Sequence, residues 1–351
     1  PGLSPAPSEA DASASRRETY KAVLMKTLDK APPSVMGVVD RLGDGWMLRP
    51  INRREKKDYV LTLPKDVKVN KGDIVRARPE AGNRGPRQAE WQESFGHADD
   101  PEAISIIAMA EAGLDPEFPD KVIDELQNAS VPALGKRRDW RDTPLVTIDG
   151  ADARDFDDAV FAEELDGGRF RLVIAIADVC HYLRHGTALD KEAYKRGNST
   201  YFPDRVVPML PERLSNDLCS LRPNEDRACM VMQCWISAEG KLEKYRVGRG
   251  LMRSAARLTY EQVQAAYDGV TDETTKPLVD AVIRPLYKAF YVLDEARKKR
   301  SALALDLPEQ QIVIDRETGK MTGVRVRDRL DAHRLIEEVM VLANVAAARW
   351  L

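Results

Sequence analysis

Residues Asp149-Gly150-Ala151-Asp152-Ala153-Arg154-Asp155-Phe156-Asp157-Asp158 set five aspartates against one arginine, directly behind the apolar run Leu145-Val146-Thr147-Ile148. Carboxylates about 4 Å apart repel by roughly 4 kcal/mol per pair at an effective dielectric near 20. They converge in a fold only where cations or protons neutralise them. In a regular strand Asp155 and Asp157 share a face while Asp158 points away, so convergence needs a bend. Gly150, Ala151 and Ala153 suit an irregular loop, and Phe156 can anchor it in the core. Such hard oxygen ligands suit magnesium, manganese or calcium. An EF-hand is excluded by spacing: the twelfth position from Asp149 is Val160, and the sixth from Asp152 is Asp157 rather than glycine. A phosphatase motif at Asp155-Phe156-Asp157 lacks an apolar strand just before it. The residues alone leave open a magnesium phosphoryl-transfer site, a structural calcium site and an acidic turn without catalytic role.

At 351 residues and 43% hydrophobic content, the chain can bury a sizeable core and predicts two domains. No apolar run approaches the ~18 residues that cross a bilayer, and Pro1 to Ser15 holds no signal-peptide core. Cys180, Cys219, Cys229 and Cys234 form no C-x-x-C pair, so reduced thiols in a cytoplasmic protein are expected. The net charge of -3 conceals basic groups at Arg53, Arg54, Lys56, Lys57, Lys136, Arg137, Arg138 and Arg297 to Arg300. An acidic total therefore does not exclude nucleic acid, because phosphate binding follows the local field.

Residues 1–30 read as a disordered tail with a short helix around Tyr20 to Leu28. Over 31–95, the short runs Val35-Val39, Trp46-Leu48, Tyr59-Leu63 and Asp73-Arg78 suggest a small OB-type barrel. Over 96–142 a helical linker is expected, with starts at Asp99-Glu102 and Pro119-Asp120. From 143 onward strands and helices mix. Asp158 to Leu165, the Asp166-Gly167-Gly168 turn and Arg169 to Val179 predict a hairpin. Its second strand alternates Leu172, Ile174 and Ile176 with Val173, Ala175 and Ala177, apolar on both faces, which predicts a central strand. Further elements are a helix near Leu189 to Arg196, strands near Ala228 to Ile236 and Lys241 to Val247, helices after Thr259 and Thr275, and strands over Gln311 to Arg327. A helix from about Asp331 runs to Leu351 without a stop signal; with Pro1 in place of methionine, that predicts a piece of a longer protein. The fold class is α+β, without Rossmann alternation.

The stretch Thr147 to Val160 resembles the signature of the RNase II/RNase R (RNB) family of exoribonucleases, on its RNase R side. Ile174 to Val179, Tyr201 to Glu212, Leu214-Ser215-Asn216, Ala256 to Tyr260 and Asp331 to Glu338 are similar to family segments in the same order. Val35 to Arg78 is loosely similar to its cold-shock barrel. The resemblance implies a cold-shock-like OB barrel followed by the truncated N-terminal part, 143–351, of a mixed α+β RNB catalytic domain. It implies processive 3′→5′ hydrolysis of single-stranded RNA to nucleoside 5′-monophosphates, using Mg2+ or Mn2+. Asp149, Asp155, Asp157 and Asp158 would then hold metal, with Asp157 the most sensitive and helping to orient the attacking water. Tyr201 would pack on the 3′-terminal nucleotide; on residue type alone it reads as a core tyrosine. Tyr260 and Glu337, with Glu338 an adjacent competitor, would sense ribose 2′-hydroxyls. A monomer with RNA as its ligand and no membrane contact is expected.

Two departures accompany the resemblance. Leu305, within Ala302 to Glu309, stands where a stacking phenylalanine is often found, and the family's catalytic arginine, second acidic residue and C-terminal OB domain lie beyond Leu351. The chain by itself is therefore expected to be impaired. The alternatives are a non-cleaving RNA-binding or regulatory module of the same fold, and a magnesium phosphohydrolase for a small substrate. His181 and His185 bracket Tyr182 where a zincin needs glutamate, so a loop or surface role is expected rather than zinc. His97 and His333 read as structural, and Arg196-Gly197-Asn198-Ser199-Thr200 as a turn or a phosphate-facing loop.

Overall fold

The computed structural model describes residues 34–52, 55, 57–80, 86–302, 310–315, 317–326 and 328–351. The expected tail and helix within 1–30, the basic residues Arg53, Arg54 and Lys56, and Leu305 lie outside the described residues. Two units are distinguished, 1–99 and 100–351.

In the first unit, β1 (Val35–Leu42), β2 (Gly45–Pro50), β3 (Tyr59–Thr62), β4 (Asp73–Pro79) and β5 (Gln88–His97) close a barrel in the order β1-β2-β3-β5-β4. Val39, Leu48, Leu61, Val75 and Ala77 fill it. At Gly37 a Cβ would stand 2.6 Å from the Arg49 carbonyl oxygen, so β1 and β2 approach as only glycine allows. Four strands follow the apolar runs. β5 was not legible, because within Gln88-Ala89-Glu90-Trp91-Gln92-Glu93 only Ala89 is buried; tertiary pairing makes it a strand. His97 has the expected structural role, its Nε2 lying 3.1 Å from the Lys71 carbonyl oxygen.

The second unit begins with α1 (Ala103–Ala112) and α2 (Asp120–Leu126). Then come β6 (Arg138–Trp140), β7 (Val146–Asp149), β8 (Asp158–Leu165), β9 (Arg169–Ala177), α3 (Val179–Tyr182), α4 (Ala188–Arg196), β10 (Thr200–Tyr201) and β11 (Val206–Val207). β12 (Asp226–Ile236), β13 (Leu242–Arg253), β14 (Ala256–Thr259), α5 (Tyr260–Tyr267), α6 (Arg284–Lys299), β15 (Gln310–Ile314), β16 (Met321–Val326) and α7 (Asp331–Trp350) complete it. Seven strands form one sheet, ordered β14-β7-β8-β9-β12-β13-β6. β9 is its middle strand, as the two-faced pattern required. Phe170, Leu172 and Ile174 enter one core, with α5, α6 and α7, while Val173, Ala175 and Ala177 enter the other, with α2 and α4. The β8–β9 hairpin turns at Gly167 and Gly168, both at positive φ, which glycine adopts without strain. Ile174→Val, which removes one methylene from the middle of this sheet, should cost about 1 kcal/mol by denaturant melts.

α7 buries Leu335, Ile336, Val339, Leu342 and Ala343 along one stripe. No helix among the described residues is long and apolar enough to cross a membrane. Cys219, Cys229 and Cys234 are buried free thiols and Cys180 is exposed.

Candidate active site

β7 ends on Asp149 and β8 starts on Asp158, so the acidic loop is the connection between two neighbouring antiparallel strands. Phe156 holds it down. Its ring is buried in the second core, its N–H donates to Ser220 Oγ at 3.1 Å and its carbonyl accepts from the Leu221 N–H at 2.9 Å. Ser220 Oγ in turn donates to the Arg154 carbonyl at 2.9 Å. With Phe156 turned inward, Asp155 and Asp157 flank it, and the Asp157 carbonyl accepts from the Ala177 N–H at 2.9 Å. The bend that convergence demands is thus built from one aromatic anchor and backbone hydrogen bonds.

The four aspartates lie in one another's field. Burial and the charges of Asp157 and Asp155 push the Asp149 carboxyl up to about 6, against an opposing pull from Arg257. Burial, then Asp149 and Asp157, push Asp158 up to about 7. Partial burial and Asp155 raise Asp157. Asp149 Oδ2 and Asp158 Oδ2 are buried without a hydrogen-bond partner. Buried anionic oxygens left unpaired are costly, and a hard divalent cation is a ligand this donor set fits. Among the described residues no three His, Cys, Asp or Glu side chains stand ready to enclose an ion, so binding one would need the loop to tighten.

Tyr201 is not a core residue. It is 68% exposed on the β10–β11 ladder, and its hydroxyl donates to Asp155 Oδ2 at 3.5 Å. The turn behind it is tied to α1, where Ser105 Oγ donates to Asp204 and Glu102 pairs with Arg205. Tyr260 reaches the site by another route: β14 runs parallel to β7 with Thr259 opposite Asp149, so the next residue opens α5 at the same sheet edge. A capping box fixes that start, Thr259 Oγ1 accepting from the Gln262 N–H at 3.1 Å and Gln262 Oε1 from the Thr259 N–H at 2.9 Å. The Tyr260 ring stacks on His333 of α7 at 4.0 Å, and Glu337 lies one turn beyond on the same helix face. The two glutamates separate by burial: Glu338 is 4% exposed against Arg297, whereas Glu337, paired with Arg329 and Arg297, is half-buried.

Arg257 escaped the sequence reading, although it lies inside the Ala256 to Tyr260 segment. From β14 its Nη2 donates to the Gly150 carbonyl at 3.0 Å and the Ala151 carbonyl at 2.8 Å, and its guanidinium lies 5.5 Å from the Phe156 ring centroid. Together with Ser220 it pins the acidic loop. Arg257→Ala should raise Asp149 further, because the cation that lowers it is gone; titration of the aspartate carboxyls by NMR checks this. Other candidates are structural. Arg196 donates to Glu192 at 2.9 Å and the Pro208 carbonyl at 3.2 Å, and stacks over Phe118 at 3.9 Å. His185 is exposed beside Asp190, and His181 packs edge-on against Tyr182.

The family model "RNB domain" matches residues 137–351. Ribonuclease R of Vibrio parahaemolyticus is 41% identical over 312 residues, covering 83% of this chain and 37% of that protein. The solved structure of Mycoplasma genitalium RNase R in complex with double-stranded RNA aligns with a TM-score of 0.80 at 26% identity, over 92% of this chain and 58% of that one. The same protein in complex with ribose-methylated single-stranded RNA aligns with a TM-score of 0.80 at 25% identity, over 90% and 51%. The chain therefore spans well under half the length of the Vibrio relative. With the match running from β6 to the end of α7 and enclosing the aspartate loop, Tyr201 and the Tyr260–His333 stack, the chain belongs to the RNB family.

Proposed function

We propose that the chain carries the metal-binding half of a 3′→5′ exoribonuclease centre, which hydrolyses single-stranded RNA processively to nucleoside 5′-monophosphates. The observation that carries this reading is the pair of buried carboxylate oxygens, on Asp149 and Asp158, left without a hydrogen-bond partner in the field of neighbouring Asp155 and Asp157. The four aspartates would hold Mg2+ or Mn2+, which when bound would neutralise the scissile phosphate and stabilise the entering and leaving oxygens.

The chain's own residues do the rest. Tyr201, exposed and tethered to Asp155, offers its ring to the 3′-terminal nucleotide and sets how far the strand advances; stacking of this kind is worth roughly 1–3 kcal/mol per base. Asp157, open to solvent, accepts a hydrogen bond from the attacking water. Tyr260, aligned by His333, and Glu337 contact ribose hydroxyls, which DNA lacks. Support for RNA as ligand comes from the RNA complexes of the Mycoplasma relative.

Incubation with 5′-labelled poly(A) and Mg2+ tests the reading: stepwise shortening from the 3′ end with monophosphate release is expected. A second reading, a non-cleaving RNA-binding module, is favoured by the lack among the described residues of a ready three-ligand set. It would be supported by binding without shortening. Tyr260→Phe combined with Glu337→Gln should reduce RNA-over-DNA preference about tenfold in the same assay; an unchanged ratio removes the role given to both.

A further inference from the structure

A cleft opens at the β13–β6 edge of the sheet, lined by Arg138, Trp140, Gln233, Arg246, Gly248 and Arg249 among others. It is distinct from the aspartate site. β13 lies three strands from β8, about 14 Å across the sheet. Arg246 pairs with Gln233, which pairs with Val173 opposite Phe161, three residues along β8 from Asp158, or about 10 Å.

Tyr245 and Val247 pack on the core beneath α7, so Lys244, Arg246 and Gly248 point to the opposite face, which carries Val231 and Gln233. β6 covers β13 only at Gly250 to Met252, leaving the outer backbone edge beyond Gly250 without a strand partner among the described residues. Arg138, Lys244 and Arg246 are exposed and have no carboxylate partner among the described residues, whereas Arg249 leans on Asp178 at 3.5 Å. Two aromatics interleave with these cations. Arg138 lies 4.6 Å from the centroid of buried Trp140, and half-buried Trp235 is flanked by Lys244 at 5.1 Å and Arg246 at 5.9 Å. Gln233 is 5% exposed, and among the described residues its carboxamide makes no hydrogen bond although it lines the cleft. Its polar atoms stay open to the cleft and are free to take a partner there.

We propose that this cleft binds a phosphodiester segment of single-stranded RNA, upstream of the nucleotides that reach the aspartates. Arg138, Arg246 and Lys244 meet successive phosphates, Trp235 offers a stacking face, and the Gln233 carboxamide hydrogen-bonds a base edge or ribose hydroxyl. A strand fits better than a free anion. Lys244 and Arg246, two residues apart on one face, stand about 6.6 Å apart along β13, near one nucleotide repeat. An inorganic phosphate would leave the tryptophan and the amide idle. The inference rests on RNA as the ligand, not on cleavage.

Binding of fluorescein-labelled oligo(A) by anisotropy, in EDTA and across a salt series, tests it with the whole chain. Arg138→Glu combined with Arg246→Glu should weaken binding at least tenfold and reduce the log–log salt slope by about 2. Arg246→Ala, a milder change, should reduce the slope by about 1. Gln233→Leu should leave the melting temperature unchanged while weakening oligo(A) binding about threefold, a split a purely structural glutamine would not give. Unchanged affinity and slope in a double variant that melts like the wild type overturns the proposal. So does displacement of oligo(A) by inorganic phosphate at equal phosphate concentration, which would mark a free-anion site. Failure of the wild type to bind oligo(A) removes this proposal together with the RNA reading; binding without shortening removes only the exonuclease.

Discussion

Asp157→Asn should abolish the stepwise shortening of 5′-labelled poly(A), a loss of at least about 10³-fold, or about 4 kcal/mol of barrier, with RNA affinity held within about twofold. The substitution is nearly isosteric and removes one charge from a side chain that faces solvent. The loop should keep its shape, since its anchors are the Phe156 ring, Ser220, and the Asp157 carbonyl on Ala177 rather than the Asp157 carboxylate. What disappears is the anion that would hold metal and accept from water. Asp155→Asn should act differently, also disturbing the Tyr201 tether and so the grip on the 3′ nucleotide. Single-turnover rates and equilibrium binding, measured side by side, separate the two. Wild-type rates in Asp157→Asn would sink the catalytic assignment.

A second large effect concerns stability without metal. Asp149 and Asp158 are held at about 6 and about 7, above the ordinary 3.8 of an unfolded aspartate, so the folded chain binds their protons more tightly than the unfolded one. The stability this contributes is fully present below about pH 4 and is lost as pH rises through 6 to 7. At pH 8 both carboxylates are charged, close together and partly dehydrated. Asp158→Asn should therefore stabilise the metal-free chain at pH 8 by roughly 2–4 kcal/mol, and by little at pH 4. Taking the difference between variant and wild type cancels groups of opposite sign, such as His181, lowered by burial and Arg137. Mn2+ should raise the wild-type melting temperature more at pH 8 than at pH 5, and Asp158→Asn should lose most of that shift. A cation effect independent of pH, or a destabilising Asp158→Asn, contradicts the arrangement.

Much of this protein is written locally. Two-faced alternation in Leu172 to Ala177 makes a central strand wherever it is placed, because either face exposed would leave apolar surface in water. The crowding of five aspartates around Phe156 demands an irregular, core-anchored loop, and that is its conformation. The helices after Pro119, Thr259 and Leu330 follow their start signals.

How distant pieces meet is a property of the whole fold. β6, β14 and β5 carry too few apolar residues to announce themselves; β6 and β14 are strands because β13 and β7, far away in sequence, supply their hydrogen bonds, and β5 because β4 and β3 flank it. From the parallel β14–β7 pairing come the place of Tyr260 beside Asp149 and the grip of Arg257 on Gly150 and Ala151. Burial, visible only after α6 and α7 pack, separates Glu337 from Glu338. Exposure removes Tyr201 from the core, where residue type alone would put it. Charge repulsion and hydrophobic periodicity act between near neighbours, so the order of residues already says which groups must be neutralised, buried or bent. Only the folded chain determined which groups stand next to them, because pairings across a hundred residues depend on the whole sheet closing.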